Sequence, residues 1–365
     1  MAPTTVTIIG AGPTGLSAAL ALTVRGCTVR VLERNDATTT ESRAVGMNRR
    51  SLLHLATVGA MDPILAVAEP LRRARLHSRG KPITTLRIPQ AASGPPTVVA
   101  LPQSRTEAML AERLQAEGVR IDYETEATSL SQTAEQANVV AQGPSGQMDI
   151  ASDLVLGADG SHSVTRKSLG IDFAGHRYAG DWSLFDAVLD WPWPEIQAAA
   201  FLDNPDGIFF MITLGDGRRR VIGNVAALED RVRKLMPVGE ISWRNEFNLS
   251  ERRVDRYGTG RIWIAGDAAH VHSPVGGMGM NLGIDDAFDF AGTVVSGDFD
   301  AFEQRRKAAA DRVMRIADRG YRLMTARNPM VRHLRNLAFK AVGASPFIQR
   351  RLAATIFAAD SEAGS

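Results

Sequence analysis

Only one cysteine, Cys27, stands in the 365 residues. A lone thiol excludes an internal disulfide framework and a cysteine metal cluster, and it fits a reducing compartment. No stretch reaches the ~18 uninterrupted apolar residues of a membrane-spanning helix. The N-terminal apolar residues alternate with glycines rather than forming the continuous core of a secretory leader, so a cytoplasmic protein is expected. Neither sign of charge is in excess: 42 Lys and Arg face 40 Asp and Glu, for a formal +2. That balance selects neither nucleic acid nor an anionic surface as a partner. There is no internal repeat, no low-complexity tract, no nucleophile–base pairing and no zinc-spaced ligand set. What remains is a chain long enough for two or three structural units, consistent with a bound cofactor doing the chemistry and the protein positioning it.

The most informative stretch is the first. Val6-Thr7-Ile8-Ile9 is apolar and mostly β-branched. It runs into Gly10-Ala11-Gly12-Pro13-Thr14-Gly15, then a helical segment to Arg25, then a second apolar run, Thr28–Leu32, ending in Glu33. Strand, glycine turn, helix, strand and acid, with the acid ~20 residues after the turn, is the entry unit of a dinucleotide-binding fold. Gly10 permits the tight turn, Gly12 lets backbone approach a pyrophosphate, and Gly15 lets helix and strand pack closely. The helix N-terminus offers free N–H groups and a positive dipole end to phosphates. Glu33 is placed to accept from ribose hydroxyls.

Further along, Arg73–Ser78 and Ile83–Ile88 read as a hairpin about Gly80-Lys81-Pro82. Ser51–Leu65 reads as a helix broken by Gly59 and Pro63, and Ser104–Glu117 as an amphipathic helix stopped by Gly118. From about Gly175 to Tyr257 come successive strands separated by Asn, Asp, Gly and Pro turns, an antiparallel pattern rather than βαβ. A buried strand, Arg261–Ala265, then precedes Gly266-Asp267-Ala268-Ala269-His270, and Gly276–Asn281 opens a helix to about Val295. A long charged helix, Asp300–Arg327, and a basic helical region, Pro329–Ala359, complete the chain. Three glycine-bearing turns therefore follow three apolar strands: Gly10–Gly15, Gly157–Ser161 and Gly266–Asp267. In a parallel sheet such turns converge on one ligand crevice.

These residues resemble the para-hydroxybenzoate hydroxylase-like, group A FAD-dependent monooxygenases. The likeness rests on Gly10-x-Gly12-x-x-Gly15 with Glu33-Arg34; on Gly157-Ala158-Asp159-Gly160-Ser161-x-Ser163-x-x-Arg166; and on Gly266-Asp267-Ala268-Ala269-His270 with Pro274, Gly277, Gly279 and Asn281. It covers the chain to about Arg327. The resemblance implies an α/β fold: a Rossmann-like, glutathione-reductase-type FAD-binding domain (1–174 with 258–300), an inserted mixed or antiparallel β-sheet substrate domain (175–257 with strands from 70–100), and C-terminal helices (301–359). It implies bound FAD, transient NAD(P)H, O₂ and a small aromatic, phenolic or polyketide-like substrate hydroxylated through a flavin C4a-hydroperoxide. No residue is assigned as catalytic, because the flavin carries the chemistry.

By the same resemblance Glu33 would bind the adenosine ribose, Arg43 the phosphate or ribityl region, and Gln103 the ribityl chain. Asp159 would serve FAD and NAD(P)H, and Asp267 the ribityl or pyrophosphate zone. Pro274 and Gly276–Gly279 would lie beside the isoalloxazine. Pro13, Thr14, Arg34, Ala127, Gly266, Met280 and Asn281 complete the expected cofactor-binding positions. His270 and His272 read as structural. Asp159 also reads as a helix N-cap for the segment from His162. Val45, Met47, Phe185, Ala187, Phe201, Phe209, Met211, Ile222 and Pro274 are the expected substrate-pocket residues, although period 2 alone does not fix which sheet face they take. Trp191-Pro192-Trp193-Pro194-Glu195-Ile196 superficially resembles the W-x-W-x-I-P of flavin-dependent halogenases, but Glu195 and Ile196 stand where Ile and Pro belong. Alternative readings are another FAD oxidoreductase on this fold, a prenyl reductase or halogenase, or a non-catalytic flavin-binding protein. The stretch Ala226–Glu240 is short for the family, and the thioredoxin-like domain of its larger members is not recognisable. Monomer and dimer both stay open.

Overall fold

A computed structural model describes residues 3–39, 44–90, 92–202, 207–215, 217–273 and 277–356. Arg43, Pro274 and Gly276, expected around the cofactor, lie outside these residues. Two large sheets organise the rest. The first is six-stranded, in the order Gly258–Thr259, Ile262–Ile264, Leu154–Gly157, Thr5–Ile9, Thr28–Leu32, Ile121–Asp122. Its pairings are parallel except that of the edge strand Gly258–Thr259. Alternation along the opening strand explains its two covers. Ile8 faces a core shared with the helices Pro13–Thr23, Gln103–Ala116 and Gly279–Ser296. Ile9 faces the opposite core, where Val139, Ala141 and Ile150 of a three-stranded antiparallel sheet pack. A sheet buried on both faces needs the near-continuous apolar strands seen here.

The second sheet has eight strands: His270–Val271, Val238–Arg253, Ala174–Leu189, Arg218–Gly223, Phe209–Gly215, Ala198–Leu202, Arg73–Ser78 and Lys81–Arg87. It is mixed, because Ala198–Leu202 pairs in parallel with Arg73–Ser78 while its other pairs are antiparallel. The expected hairpin is thus stitched onto strands more than a hundred residues later. A small sheet of Gly46–Asn48, Val98–Ala100 and Glu69–Pro70 bridges the two large ones. The strand Gly146–Ser152 alternates exposed with half-buried or buried residues, but Met148 and Ile150 are its only large apolar side chains, too weak a pattern to single it out in the sequence. Pro63 does not break a helix; it sits in the first turn of Met61–Val67, where its missing N–H costs nothing. The region 226–240 holds the short helix Leu228–Arg233. None of the described helices is long and apolar enough to cross a membrane.

Candidate functional site

The three glycine turns meet, and their close approach is enforced atom by atom. A Cβ on Gly10 would lie 2.4 Å from the Ala158 carbonyl oxygen, and one on Gly15 would lie 1.9 Å from that of Gly10. A Cβ on Gly266 would lie 2.5 Å from Thr14 Oγ1. Around Gly12 nothing comes within 4 Å, so this glycine borders open space. Gly12 is also the extended residue that starts the helix Pro13–Thr23, with no side chain of its own to cap the free N–H groups. The conformation leaves those donors for a ligand.

That space is a cavity of about 1270 Å³. It exceeds the ~300–1,000 Å³ of an ordinary small-molecule site and holds room for a dinucleotide and a second molecule. Of the expected cofactor residues, its wall contains Gly12, Pro13, Thr14, Glu33, Gln103, Asp267, Gly277, Gly279, Met280 and Asn281. Gly10, Gly15 and Gly266 form the backbone joints behind the wall. Arg34 is exposed to solvent outside it, and Ala127 is buried in the core under the three-stranded sheet.

Each polar wall residue is held by the turns it serves. Glu33 accepts from the Ala11 backbone N–H at 2.7 Å and from Asn35 N and Nδ2 at 3.0 and 2.6 Å. Asn281 donates to the carbonyls of Gly46 and Gly277 and accepts from Asn48 N and Ser51 Oγ, all at 2.8–2.9 Å. It locks the start of the helix Gly279–Ser296 to the small sheet. Arg166 donates to the carbonyls of Ser161 and Ala268, each at 3.0 Å, tying the second glycine turn to the third. Asp159 turns away from the cavity: its carboxylate accepts from Ser163 Oγ, Thr165 N and Thr165 Oγ1. Its neighbours Ala158, Gly160, Ser161 and His162 line the cavity instead. The N-cap itself is Ser163, which accepts from Arg166 N.

His270 is buried with Nε2 2.6 Å from Asp286 and does not line the cavity, although its neighbour Val271 does. His272 lines the wall. Burial pushes its imidazole down to about 4, leaving it neutral at pH 7, while Nδ1 sits 2.8 Å from the Ser273 carbonyl.

Glu107 was not singled out by pattern, because a glutamate in a helix is ordinary. It is buried on the cavity wall, accepting from Gln103 Nε2 at 2.8 Å and Thr39 N at 3.2 Å. Removal from water, with Glu33 nearby, pushes its carboxyl up to about 7. A raised acid stabilises the fold fully below its ordinary value of 4.5, and that contribution is lost as pH rises through about 7. Glu107→Gln is neutral at every pH. The melting-temperature difference, Gln variant minus wild type, should therefore shift in favour of the variant between pH 5 and pH 8. A difference that stays constant with pH would refute the assignment.

The eight-stranded sheet closes the far side of the cavity. Trp182, Ala198, Phe210, Ile212, Arg220, Ile222, Phe247 and Leu249 line it. Phe185, Ala187, Phe201, Phe209 and Met211, expected in the pocket, alternate with these and pack on the opposite face against Leu228 and Val232. Met47 is buried in the core of the first sheet, whereas Val45 and Ile222 do line the cavity. A signal for the face existed: Phe185, Ala187 and Leu189 are uniformly apolar, as a closed core requires, while Asp186 interrupts the other face. Asp186 and Arg220 are directly paired across neighbouring strands. Arg220 is buried and bidentate, Nε and Nη2 donating to the two Asp186 oxygens at 2.8 and 2.7 Å, while Nη1 reaches the Ala44 carbonyl at 3.3 Å. Trp191 and Trp193 pack with the opposite-face core, outside the cavity.

Comparison with known proteins follows the same outline. The family described as FAD binding domain matches residues 3–231 and 224–317. The 6-methylpretetramide 4-monooxygenase of Streptomyces rimosus is 30% identical over 311 residues, covering 78% of this chain and 54% of that protein. The chain thus spans about half that relative's length. The 12-dehydrotetracycline 5-monooxygenase/anhydrotetracycline 6-monooxygenase of Streptomyces rimosus is 30% identical over 392 residues, covering 97% of this chain and 76% of its own. The crystal structure of p-nitrophenol 4-monooxygenase from Pseudomonas putida DLL-E4 superposes with a TM-score of 0.88 at 23% identity, covering 97% of this chain and 98% of the other. That likeness is one of fold.

Proposed function

Starting from the fact that this chain belongs to the FAD-binding family of group A, flavin-dependent aromatic monooxygenases, we propose that it hydroxylates a hydrophobic phenolic or polyketide-like molecule at the expense of NAD(P)H and O₂. One observation carries the reading: a single cavity joins the dinucleotide turns to the apolar, aromatic face formed by Trp182, Phe210, Ile212, Ile222 and Phe247. Relatives that act on tetracycline-type polyketides support an aromatic substrate of this class.

When bound, FAD would supply the redox chemistry, hydride acceptance from NAD(P)H and electron delivery to O₂, with one oxygen atom entering the substrate and the other leaving as water. The protein's part is positional. Glu33, the N-terminus at Pro13 and Asp267 are the groups to hold the sugar and phosphate end. Gly279 and Met280, at the start of an 18-residue helix, offer N–H groups and a positive dipole end where the ring end would lie. Arg220, fixed by Asp186, keeps a cation in the wall, favouring negative charge on a ring placed against it. The apolar sheet face takes the substrate and keeps water from the oxygen-transfer step.

The test is NADH and NADPH oxidation by the FAD-loaded protein with a panel of simple and polycyclic phenols, with ¹⁸O₂ and a peroxide assay. Substrate-dependent turnover with ¹⁸O in the product is expected. Turnover that yields only peroxide across the panel would reject oxygen insertion. Asp267→Ala, by deleting a charged acceptor for FAD hydroxyls, should weaken FAD binding by roughly ten- to a hundred-fold, the equivalent of about 1.5–3 kcal/mol. Titration of apoprotein with FAD measures it directly, and an unchanged Kd would remove Asp267 from the site.

A further inference from the structure

The helix Pro329–Ala344 is built inside out. Its inward face carries Arg335, buried and donating to the carbonyls of Leu323 at 3.3 Å and Met324 at 3.1 Å, and Asn336, donating to Ser78 Oγ at 3.0 Å. Its outward face carries Met330, Val331, Leu334 and Leu337, with Met330 72% and Leu334 58% exposed. The next helix, Pro346–Ile356, adds Phe347, 65% exposed, and Ile348. A surface helix ordinarily turns its apolar stripe to the core, and an exposed cluster of this kind marks an interaction surface.

Charge identifies what the surface meets. From Pro329 to Ile356, the span of the two helices, the chain has five Arg and Lys residues, only Arg335 turned inward, and no Asp or Glu. Lys340 and Arg350 are exposed on these helices, and Arg327 on the connection just before them. The near-neutral total for the whole chain conceals this one-sided segment. A second copy seated on the same patch would set cations against cations around the apolar residues. An anionic bilayer surface offers acyl chains to the apolar residues and negative headgroups to the cations, the arrangement of an interfacial amphipathic helix. We propose that the outward faces of Pro329–Ala344 and Pro346–Ile356 dock the protein peripherally on anionic lipid.

The FAD-loaded full chain, mixed with phosphatidylcholine vesicles with and without phosphatidylglycerol and floated on a density gradient, tests this. At low salt the bound fraction should rise at least about tenfold with phosphatidylglycerol and fall at high salt. The double variant Leu334→Glu/Leu337→Glu should lose this binding while keeping its flavin absorbance and melting temperature. Lys340→Glu/Arg350→Glu, which leaves the apolar face intact, should weaken it as well. Three results would overturn the proposal: equal partition onto neutral and anionic vesicles; no flotation at low salt; or a wild-type dimer in sedimentation that Leu334→Glu dissociates, which would give the face to a second copy. Binding to an acidic protein without binding to anionic vesicles would overturn it too.

Discussion

Asp286→Ala is expected to give a protein that purifies without flavin and unfolds at markedly lower urea. Asp286 is fully buried on the helix Gly279–Ser296. Its Oδ2 accepts from the Gly266 backbone N–H at 2.9 Å and contacts His270 Nε2 at 2.6 Å. Its other oxygen is 2.8 Å from Arg306 Nε, in ion-pair contact. Arg306 is itself buried and also meets Asp285 at 2.8 Å and Asp289 at 3.3 Å. Removing Asp286 strips Arg306 of one of three carboxylates and leaves the Gly266 N–H and His270 Nε2 buried without this acceptor, together a cost of about 3–5 kcal/mol. Against a total stability of about 5–15 kcal/mol, that is a large share. The same cut frees Gly266 N, and with it the turn that presents Asp267. Asp286→Asn retains an acceptor and the volume but loses the charge, so its unfolding midpoint should lie between the two. A wild-type midpoint and full flavin content in Asp286→Ala would show that the network carries neither stability nor the turn.

The second large effect separates folding from binding within six residues. Gly15→Ala drives a methyl into the Gly10 carbonyl oxygen, 1.9 Å away. Gly10 cannot retreat: its N–H donates to Leu32 O at 2.8 Å, and Ala158 N donates to Ile9 O at 2.8 Å. Overpacking of about 1–3 kcal/mol is the usual cost, and a contact with fixed backbone belongs at or beyond its upper end. Little soluble protein is expected. Gly12→Ala meets no atom within 4 Å and keeps an ordinary φ of −73°. It should fold as well as wild type by circular dichroism, yet place a methyl where the pyrophosphate approaches and lose FAD. If both variants fold and both bind FAD, the turn does not hold the cofactor.

The glycine turns were legible because steric necessity writes itself into composition: only glycine fits where Cβ would meet a carbonyl. Glu33 was legible from its fixed distance after the turn, and the sheet strands from their β-branched runs. The sheet face that lines the cavity was not. Phe209 and Phe210 are adjacent, equally apolar, and point to opposite sides, so the choice between them depends on what covers the other face. The Asp286–Arg306 network was hidden for a different reason. It is assembled by packing one helix against the next, and each residue alone looks like a solvated charge. Arg335 and Leu334 show the same limit at the C-terminal end, where helical periodicity is plain but which side meets the body is not.

The interleaving of the two large sheets has a consequence for the newly made chain. The opening βαβ unit leaves the ribosome long before its neighbour strand Leu154–Gly157 and that strand's own neighbour Ile262–Ile264. The hairpin Arg73–Arg87 waits likewise for Ala198–Leu202. Neither sheet can close on its own, since each needs segments synthesised after the other has begun. Such non-local pairing makes folding slow and leaves strand edges unpaired meanwhile. FAD, by binding where the early and late segments meet, rewards only the completed molecule, so cofactor supply during expression should govern how much of the nascent chain escapes aggregation.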